Sequence, residues 1–449
     1  EQLPQARFAP GAFDAALLGE DVRLVLRSPG LAPQQVAPVC DPARERGVRI
    51  GGELSLFAEA LAQLKADQDY APQVLAVTGT NGKTTVTALT GQLIERAGKA
   101  VAVAGNIGPT LLDTLREKIA AGALPEVWVL ELSSFQLDCA QGFEPTAATV
   151  LNVTQDHLDW HGTMPAYVAA KARVFGARAL MILNRDDAVV MDMLPPAVRV
   201  KGGRMEQREF QTFGGEAPRR AGDWGIEIVN GMAWLVRALP ADETTRKKGP
   251  HARQLAAPRG GVHALGRPGG VQLSDDEEEL FIQRLMPADA LRIRGRHNAV
   301  NALAALALAD AAGCALGPML YGLREYRGEP HRVESVGVIN GVEYFDDSKG
   351  TNVGATVAAL QGLGAERSLV VILGGDGKGQ DFSPLAAPVA RHARAAVLIG
   401  RDAPLIRAVL EPAGVPLLGA ATMEEAVSLA TGRAHAGDAV LMSPACASF

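Results

Sequence analysis

The run VLAVTGTNGKTTVTAL, residues 74–89, narrows the possible folds more than any other part of the chain. An apolar stretch leads into a turn holding Gly79 and Gly82, and Lys83, Thr84 and Thr85 open the segment that closes at Gly98. Strand, glycine turn and helix in that order belong to an α/β domain with a parallel sheet. Gly79 and Gly82 let backbone N–H groups approach phosphate oxygens, and the helix N-terminus adds positive potential. Lys83 can reach terminal phosphates, and the Thr84 hydroxyl is placed to bind Mg²⁺. The common P-loop wants a glycine five residues before the second one, yet Val77 stands there. The spacing alone therefore leaves the nucleotide and the reaction open.

At 449 residues the chain exceeds one ordinary core, so two or three domains are expected. With 47% hydrophobic and 21% charged residues, it has an ordinary globular composition. A net charge of −6 provides no basic field and argues against nucleic acid as a partner. Cys40, Cys139, Cys314 and Cys446 lie far apart, without metal-like spacing, which suits buried thiols in a reducing compartment. No run reaches the roughly eighteen apolar residues of a membrane span. The chain opens at Glu1 and stops at Phe449, just after an apolar run, so both ends read as cut.

Along the chain, short β-like runs (22–26, 48–50) precede clean α/β alternation from Gln73 onward. Strands are expected at 73–78, 101–106, 127–132 and 148–154, each ending in polar residues where open parallel sheets place ligands. Residues 240–275 are rich in Pro and Gly and lead into an acidic run, which reads as a solvated insertion between strands. A polyanion-binding loop is the sharper alternative, but aromatic residues are not interleaved. A helix rich in Ala and Leu follows at 297–313, and a second α/β series has strands at 342–346, 369–375, 396–400 and 438–443.

Several strand ends carry candidate chemistry. Glu131 closes an apolar strand, as a Mg²⁺-supporting acid does beside a phosphate loop, although a strand-end acid can also be a plain surface residue. LNVTQDHLDWHG (151–162) offers His157 among acids, but Mg²⁺ prefers oxygen ligands, so metal-site rules do not select it. Lys171 on a helix reads equally well as a snorkelling surface lysine. PHRVESV, YFDDSKGTN and GGDGKGQDF place Arg332, Asp347, Lys349 and Lys378 at strand ends, a set able to hold a nucleotide and a small acid together.

Taken together, GTNGKTT, AGNIG, LELSSFQL, LNVTQDHLD, DDSKGTN, GGDGKGQDF and SPACAS resemble the Mur ligase family, ATP-dependent amide-forming enzymes of peptidoglycan synthesis. The resemblance spans nearly the whole chain outside 240–275 and accounts for the short glycine spacing. It implies an α/β fold of three domains. Residues 1–52 would be the remnant of a truncated Rossmann-like N-terminal UDP-binding domain, with RSPGL (27–31) as its uridine-side loop. Residues 53–327 would form a central P-loop ATPase domain with a parallel sheet. Residues 328–449 would form a Rossmann-like C-terminal domain cut before a substrate-contacting aromatic.

Within the family the motifs are most similar to the branch that adds D-glutamate to UDP-N-acetylmuramoyl-L-alanine. The resemblance implies that Gly79, Thr80, Asn81, Gly82, Lys83, Thr84 and Thr85 hold ATP phosphates. Asn298, Arg332 and Asp347 would lie around adenine and ribose, with Lys349 near the phosphates. Thr84, Glu131 and His157 would serve two Mg²⁺ ions, joined by Lys171 as an N-carbamate, with Lys83, His157 and Lys171 acting in catalysis. Asn106 and Ser133 would contact the UDP-muramoyl substrate, and Thr351, Lys378 and Ser448 the D-glutamate carboxylates. A cytoplasmic monomer is implied. Alternatives are another Mur ligase, a folylpolyglutamate synthase-like ligase, or an ATP-binding regulator without ligase chemistry.

Overall fold

The computed structural model describes residues 6–199, 205–241 and 279–447. The 240–275 insertion lies almost wholly outside them, and Ser448 lies outside them too.

The N-terminal part is small. β1 (Leu24–Leu26) and β2 (Arg49–Gly51) pair in parallel, joined by α1 (Pro33–Glu45), and Val36, Val39 and Ile50 make their core. α2 (Glu53–Gln68) then packs with the next unit, where Phe57 meets Trp128 edge-on at 5.1 Å.

The central unit follows as β3 (Gln73–Thr78), α3 (Lys83–Arg96), β4 (Val101–Gly105), α4 (Leu111–Ala120), β5 (Val127–Glu131), α5 (Ser134–Asp138) and β6 (Ala147–Val150). α6 (Leu158–His161), α7 (Met164–Ala172), β7 (Leu180–Asn184) and α8 (Ala188–Met191) come next. The short pair β8 (Val198–Arg199) and β9 (Met205–Glu206) precedes β10 (Phe210–Phe213). Six of these strands form one parallel sheet in the order β10-β7-β6-β3-β5-β4. A parallel sheet is covered on both faces, so its strands read as continuous apolar runs. In β3, Leu75 and Val77 join the core under α3, while Val74 and Ala76 face the core under α2 and α4. Each fully buried Val or Leu contributes about 1.5–3 kcal/mol.

β11 (Trp224–Val229), β12 (Met232–Pro240) and β13 (Leu280–Pro287) form an antiparallel sheet that the strand expectations above did not include. Its sequence signal is Asn230-Gly231, both at positive φ (51° and 79°), the pair favoured in a two-residue hairpin turn. β12 and β13 pair antiparallel, Pro240 opposite Leu280, with a register shift between Leu235 and Val236. α9 (Arg296–Ala311) is buried along most of its length, as an all-round apolar helix must be, and α10 (Leu316–Glu325) packs against it.

The last unit comprises β14 (Glu334–Ile339), β15 (Val342–Asp346), α11 (Val353–Gly364), β16 (Leu369–Gly374), α12 (Ala386–His392) and β17 (Ala393–Ile399). It ends with α13 (Ala403–Leu410), β18 (Leu417–Gly419), α14 (Met423–Arg433) and β19 (Ala439–Met442). The sheet order is β14-β15-β19-β16-β17-β18, parallel except for β14, whose hairpin again turns at an Asn-Gly pair, Asn340-Gly341.

Both large sheets place their switch point in the same region. In the central sheet the connections run from β3 out to β4, return to β5, and then build the opposite side from β6. In the last sheet, β15, β19 and β16 end together. Ligand sites of open α/β sheets form at such carboxyl ends.

Candidate active site

The two sets of carboxyl ends face one another across a cleft of about 710 Å³. The 79–82 turn reaches it first. Gly82 caps α3 with φ +83°, and a Cβ there would stand 2.9 Å from Asn301 Oδ1. No side chain caps α3, so its first N–H groups remain available to an anion. Asn152 holds the turn: its backbone carbonyl accepts from Thr80 N (2.9 Å) and its Oδ1 from Asn81 N (2.8 Å).

Two lysines converge on this turn. Lys83 Nζ donates to the carbonyls of Gly79 and Thr80, both at 2.9 Å. Lys171 Nζ, from α7, donates to the same Gly79 carbonyl at 2.8 Å and lies 4.5 Å from the Tyr167 ring centroid. Lys171 is only 1% exposed, so the snorkelling surface lysine is excluded. Burial, and next the nearby Lys83 ammonium, push its pKa well below 10.5. Lys83 is also lowered, chiefly by burial and secondarily by Arg332, while Glu131 and Asp156 oppose the shift.

Glu131 ends β5, is 4% exposed, and accepts from Asn106 Nδ2 at 3.1 Å. Asn106 N in turn donates to the Glu131 carbonyl (2.8 Å), and Gly105 is required beside it because a Cβ would run into that carbonyl. His157 sits at φ +54°, with Nε2 3.6 Å from Asp156 Oδ2 and its ring 4.8 Å from Phe135. Its side chain is 44% exposed, and desolvation of the packed part lowers its pKa against the pull of Asp156. The buried Glu131 carboxylate and the half-buried Thr84 hydroxyl are oxygen donors that suit a hard divalent cation.

Across the cleft, Arg332 Nη2 donates to Thr84 Oγ1 at 2.8 Å, joining the two units at the phosphate loop. Asn352 adds a second tie: it exchanges amide hydrogen bonds with Asn81 (2.9 and 3.1 Å) and reaches Asp156 at 3.4 Å. Lys349, Thr351 and Lys378 line the far wall. Thr85, Asn298 and Asp347 line an adjoining recess of about 100 Å³ with Arg332 and Lys349. Asp347 accepts from Ser443 Oγ (2.6 Å) and Val333 N (3.2 Å), and burial raises its pKa to about 6.

The cleft and its recess thus gather almost every residue singled out in the sequence. Gly79 and Lys171 are not on the lining; they meet through the hydrogen bond from Lys171 Nζ to the Gly79 carbonyl. Ser133 does not line the cleft; it caps α5, accepting from Gln136 N at 3.2 Å. Asn152 and Asn352 were not singled out, although each lies inside a quoted motif.

The description "Mur ligase middle domain" matches residues 77–209, and "Mur ligase, glutamate ligase domain" matches residues 331–446. The fold and these matches place the chain in the Mur ligase family. Among its relatives is a UDP-N-acetylmuramoylalanine–D-glutamate ligase of Albidiferax ferrireducens, 67% identical over 100% of this chain and 84% of that protein. A Burkholderia pseudomallei protein of the same name is 57% identical over 98% of this chain and 83% of its own length. At such identity the chain belongs with the D-glutamate ligases of that family.

Solved structures agree on the fold. MurF ligase from Thermotoga maritima, in complex with ADP, superposes with a TM-score of 0.57 at 16% identity, over 94% of this chain and 92% of that one. UDP-N-acetylmuramate-alanine ligase MurC from the same organism gives 0.53 at 19% identity, over 96% and 83%.

Proposed function

We propose that this chain joins D-glutamate to UDP-N-acetylmuramoyl-L-alanine at the expense of ATP, with residues 1–52, 53–327 and 328–449 as its three functional units. The observation that carries the reading is the convergence on one cleft of the phosphate turn, Glu131 and His157 with the Lys349, Thr351 and Lys378 wall. A phosphate loop alone would suit any nucleotide enzyme. The facing cations add places for a second, acidic substrate.

The reaction needs two steps. The terminal phosphoryl group of ATP passes to an oxygen of the L-alanine carboxylate, giving an acyl phosphate and ADP. The D-glutamate amine then attacks the acyl carbon, the tetrahedral adduct expels phosphate, and the nitrogen loses a proton. Splitting amide formation in this way gives the amine a good leaving group to displace. Residues 79–85 cradle the phosphates, and Lys83 offsets negative charge on the transferring group. Asn298, Asp347 and Arg332 hold the nucleoside side, with Lys349 near the phosphates. Asn106, with Ser133 at the α5 cap, serves the muramoyl substrate, while Thr351, Lys378 and Ser448 recognise D-glutamate.

Thr84, Glu131 and His157 would hold Mg²⁺, two ions in all, and such cations neutralise phosphate charge when bound. Lys171 would complete the set as an N-carbamate. Carbamate formation needs a neutral amine, and the depressed pKa of Lys171 supplies it. The neutral amine adds CO₂ and releases a proton, leaving −1 beside Lys83, an attraction where a charged amine would repel. A working monomer is part of the same proposal. The free cysteines, three buried and Cys139 half-buried, fit the cytoplasm. Among the described residues no helix is long and apolar enough to cross a membrane.

The test is phosphate release with UDP-N-acetylmuramoyl-L-alanine, ATP and Mg²⁺ against a panel of amino acids. Release that depends on D-glutamate supports the reading. Dependence on L-alanine or a diaminoacid reassigns the substrate, and tight ATP binding without turnover favours a regulator.

A further inference from the structure

A buried arginine, Arg27, opens the RSPGL loop that the family resemblance places at the uridine side, but none of the steps above uses its side chain. Arg27 directly follows β1 and precedes Ser28-Pro29-Gly30; its N–H donates to the Gly51 carbonyl at 2.9 Å. Its side chain is 4% exposed, and Nη2 pairs with Asp138 Oδ2 at 2.6 Å, at the end of α5. The guanidinium also lies 5.3 Å from the Trp160 ring centroid, in α6. One side chain of the N-terminal unit thus grips two short helices of the central unit.

Those helices span five and four residues, too few to hold a position by their own hydrogen bonds. What fixes them is side-chain packing. Phe135 of α5 lies 4.8 Å from both Trp160 and His157. His161 Nε2 shares a hydrogen bond with Ser134 Oγ at 2.9 Å, and its ring is 4.4 Å from Trp160 and 5.1 Å from Tyr167. Tyr167 OH meets Thr80 Oγ1 at 3.1 Å in the phosphate turn. Packed groups therefore run without a break from Arg27 through Trp160 and Phe135 to His157, and through His161 and Tyr167 to the turn.

We infer that Arg27 is a positioning residue: it seats α5 and α6 so that His157 stands at the cleft wall, and ties that seat to the N-terminal unit. A buried ion pair seldom exceeds apolar residues of equal volume in stability, so stability alone does not explain this arginine. Orientation does. A guanidinium can bond a carboxylate with its edge while its face covers an indole, which an ammonium does not do. The inference rests on the proposed function, because it assumes that His157 acts at the reacting end.

Arg27→Met, in the full chain, tests it with two readouts. Hydrogen exchange in segments 133–138 and 157–161 should quicken by about tenfold or more as that region opens locally. The kcat for ligation should fall about 100-fold, the scale on which a displacement near 1 Å acts, while the KM for ATP stays within about twofold. Arg27→Lys should fall between. Unchanged exchange or unchanged kcat overturns the inference, as does a loss matched by the folded fraction alone. Should Arg27→Met not fold, Asp138→Ala, which removes the carboxylate that Arg27 holds at the end of α5, decides by the same measurements. A wild-type protein without D-glutamate-dependent turnover would refute the functional reading, and exchange would then decide the role of Arg27 alone.

Discussion

Replacing Lys171 by methionine separates what this residue does for the fold from what it does for turnover. The side chain is 1% exposed and makes one hydrogen bond, 2.8 Å to the Gly79 carbonyl. Methionine has similar length, fills the same space beside Tyr167 and loses that bond, a change of about 1 kcal/mol. It also removes a buried amine whose charged form is strongly disfavoured there. Urea unfolding should therefore place the variant within about 1.5 kcal/mol of wild type. Turnover should behave quite differently. If the carbamate supplies an anionic ligand beside Lys83, its loss removes a preorganised charge, which typically costs about 10²–10³ in kcat. Acetate or formate should recover part of that loss by filling the anionic place. With ¹³C-bicarbonate, wild type should show a carbamate carbonyl resonance and Lys171→Met none. A folded variant with turnover within about threefold of wild type would refute the reasoning, and so would a wild-type enzyme that stays fully active after CO₂ is stripped.

Two further outcomes follow from the same geometry. Lys378→Ala should raise the KM for D-glutamate about ten- to a hundredfold and leave that for ATP nearly unchanged, because a charge-assisted hydrogen bond contributes about 1.5–3 kcal/mol; equal effects on both would make Lys378 structural. His161 is buried against Ser134, and burial lowers its pKa to about 4. Below pH 6.5 the unfolded chain therefore binds the extra proton, so stability falls with falling pH and levels off near 4; the depression from 6.5 corresponds to about 3 kcal/mol at most. His161→Gln should flatten this limb in urea unfolding between pH 7 and 4, and an unchanged acid limb would show that another group carries it.

The fold was legible at several strands buried on both faces, although β7, buried in the same way, was not singled out. Val74–Val77, Val127–Leu130 and Leu369–Leu373 are apolar without interruption because parallel sheets bury both faces, and their strands lie where the sequence places them. The antiparallel sheet of β11–β13 was harder to read. Its strands are partly exposed (Ile228 and Phe281 at 60% and 57%), so apolar content is a poor guide there. The turn chemistry at Asn230-Gly231 did carry the signal. In the site, residue types with obvious phosphate chemistry stood out at once. Lys171 did not, since nothing in YVAAKARVF distinguishes a lysine aimed at a carbonyl from one aimed at water. Asn152, Asn352 and Arg27 act through tertiary partners 71, 271 and 111 residues away, a separation no local pattern records.

That contrast follows from what each group has to do. Lys349, Thr351 and Lys378 are exposed at strand ends, where a polar residue costs nothing and local rules predict it well. Lys171 and Glu131 are buried ionisable groups, and His157 holds a left-handed backbone conformation that most side chains avoid. Such arrangements survive only where surrounding contacts compensate: the Gly79 carbonyl and Tyr167 for Lys171, Asn106 for Glu131, Asp156 and Phe135 for His157. Local preference is overruled on both sides: on the facing unit Lys378, His331 and Val333 also stand at positive φ (50°, 64° and 50°), and Asp347 is buried. The groups assigned to the two ends differ in exposure: Lys171 and Glu131 are buried beside the phosphate turn, whereas Lys349 and Lys378 are exposed on the wall opposite. Charge is therefore preorganised by burial where phosphoryl transfer is proposed to occur, and kept hydrated where the small acid is proposed to enter and leave. A carboxylate that must arrive from water can exchange its shell for Lys378 at little cost, whereas a transferring phosphoryl group gains most from charges already stripped of water.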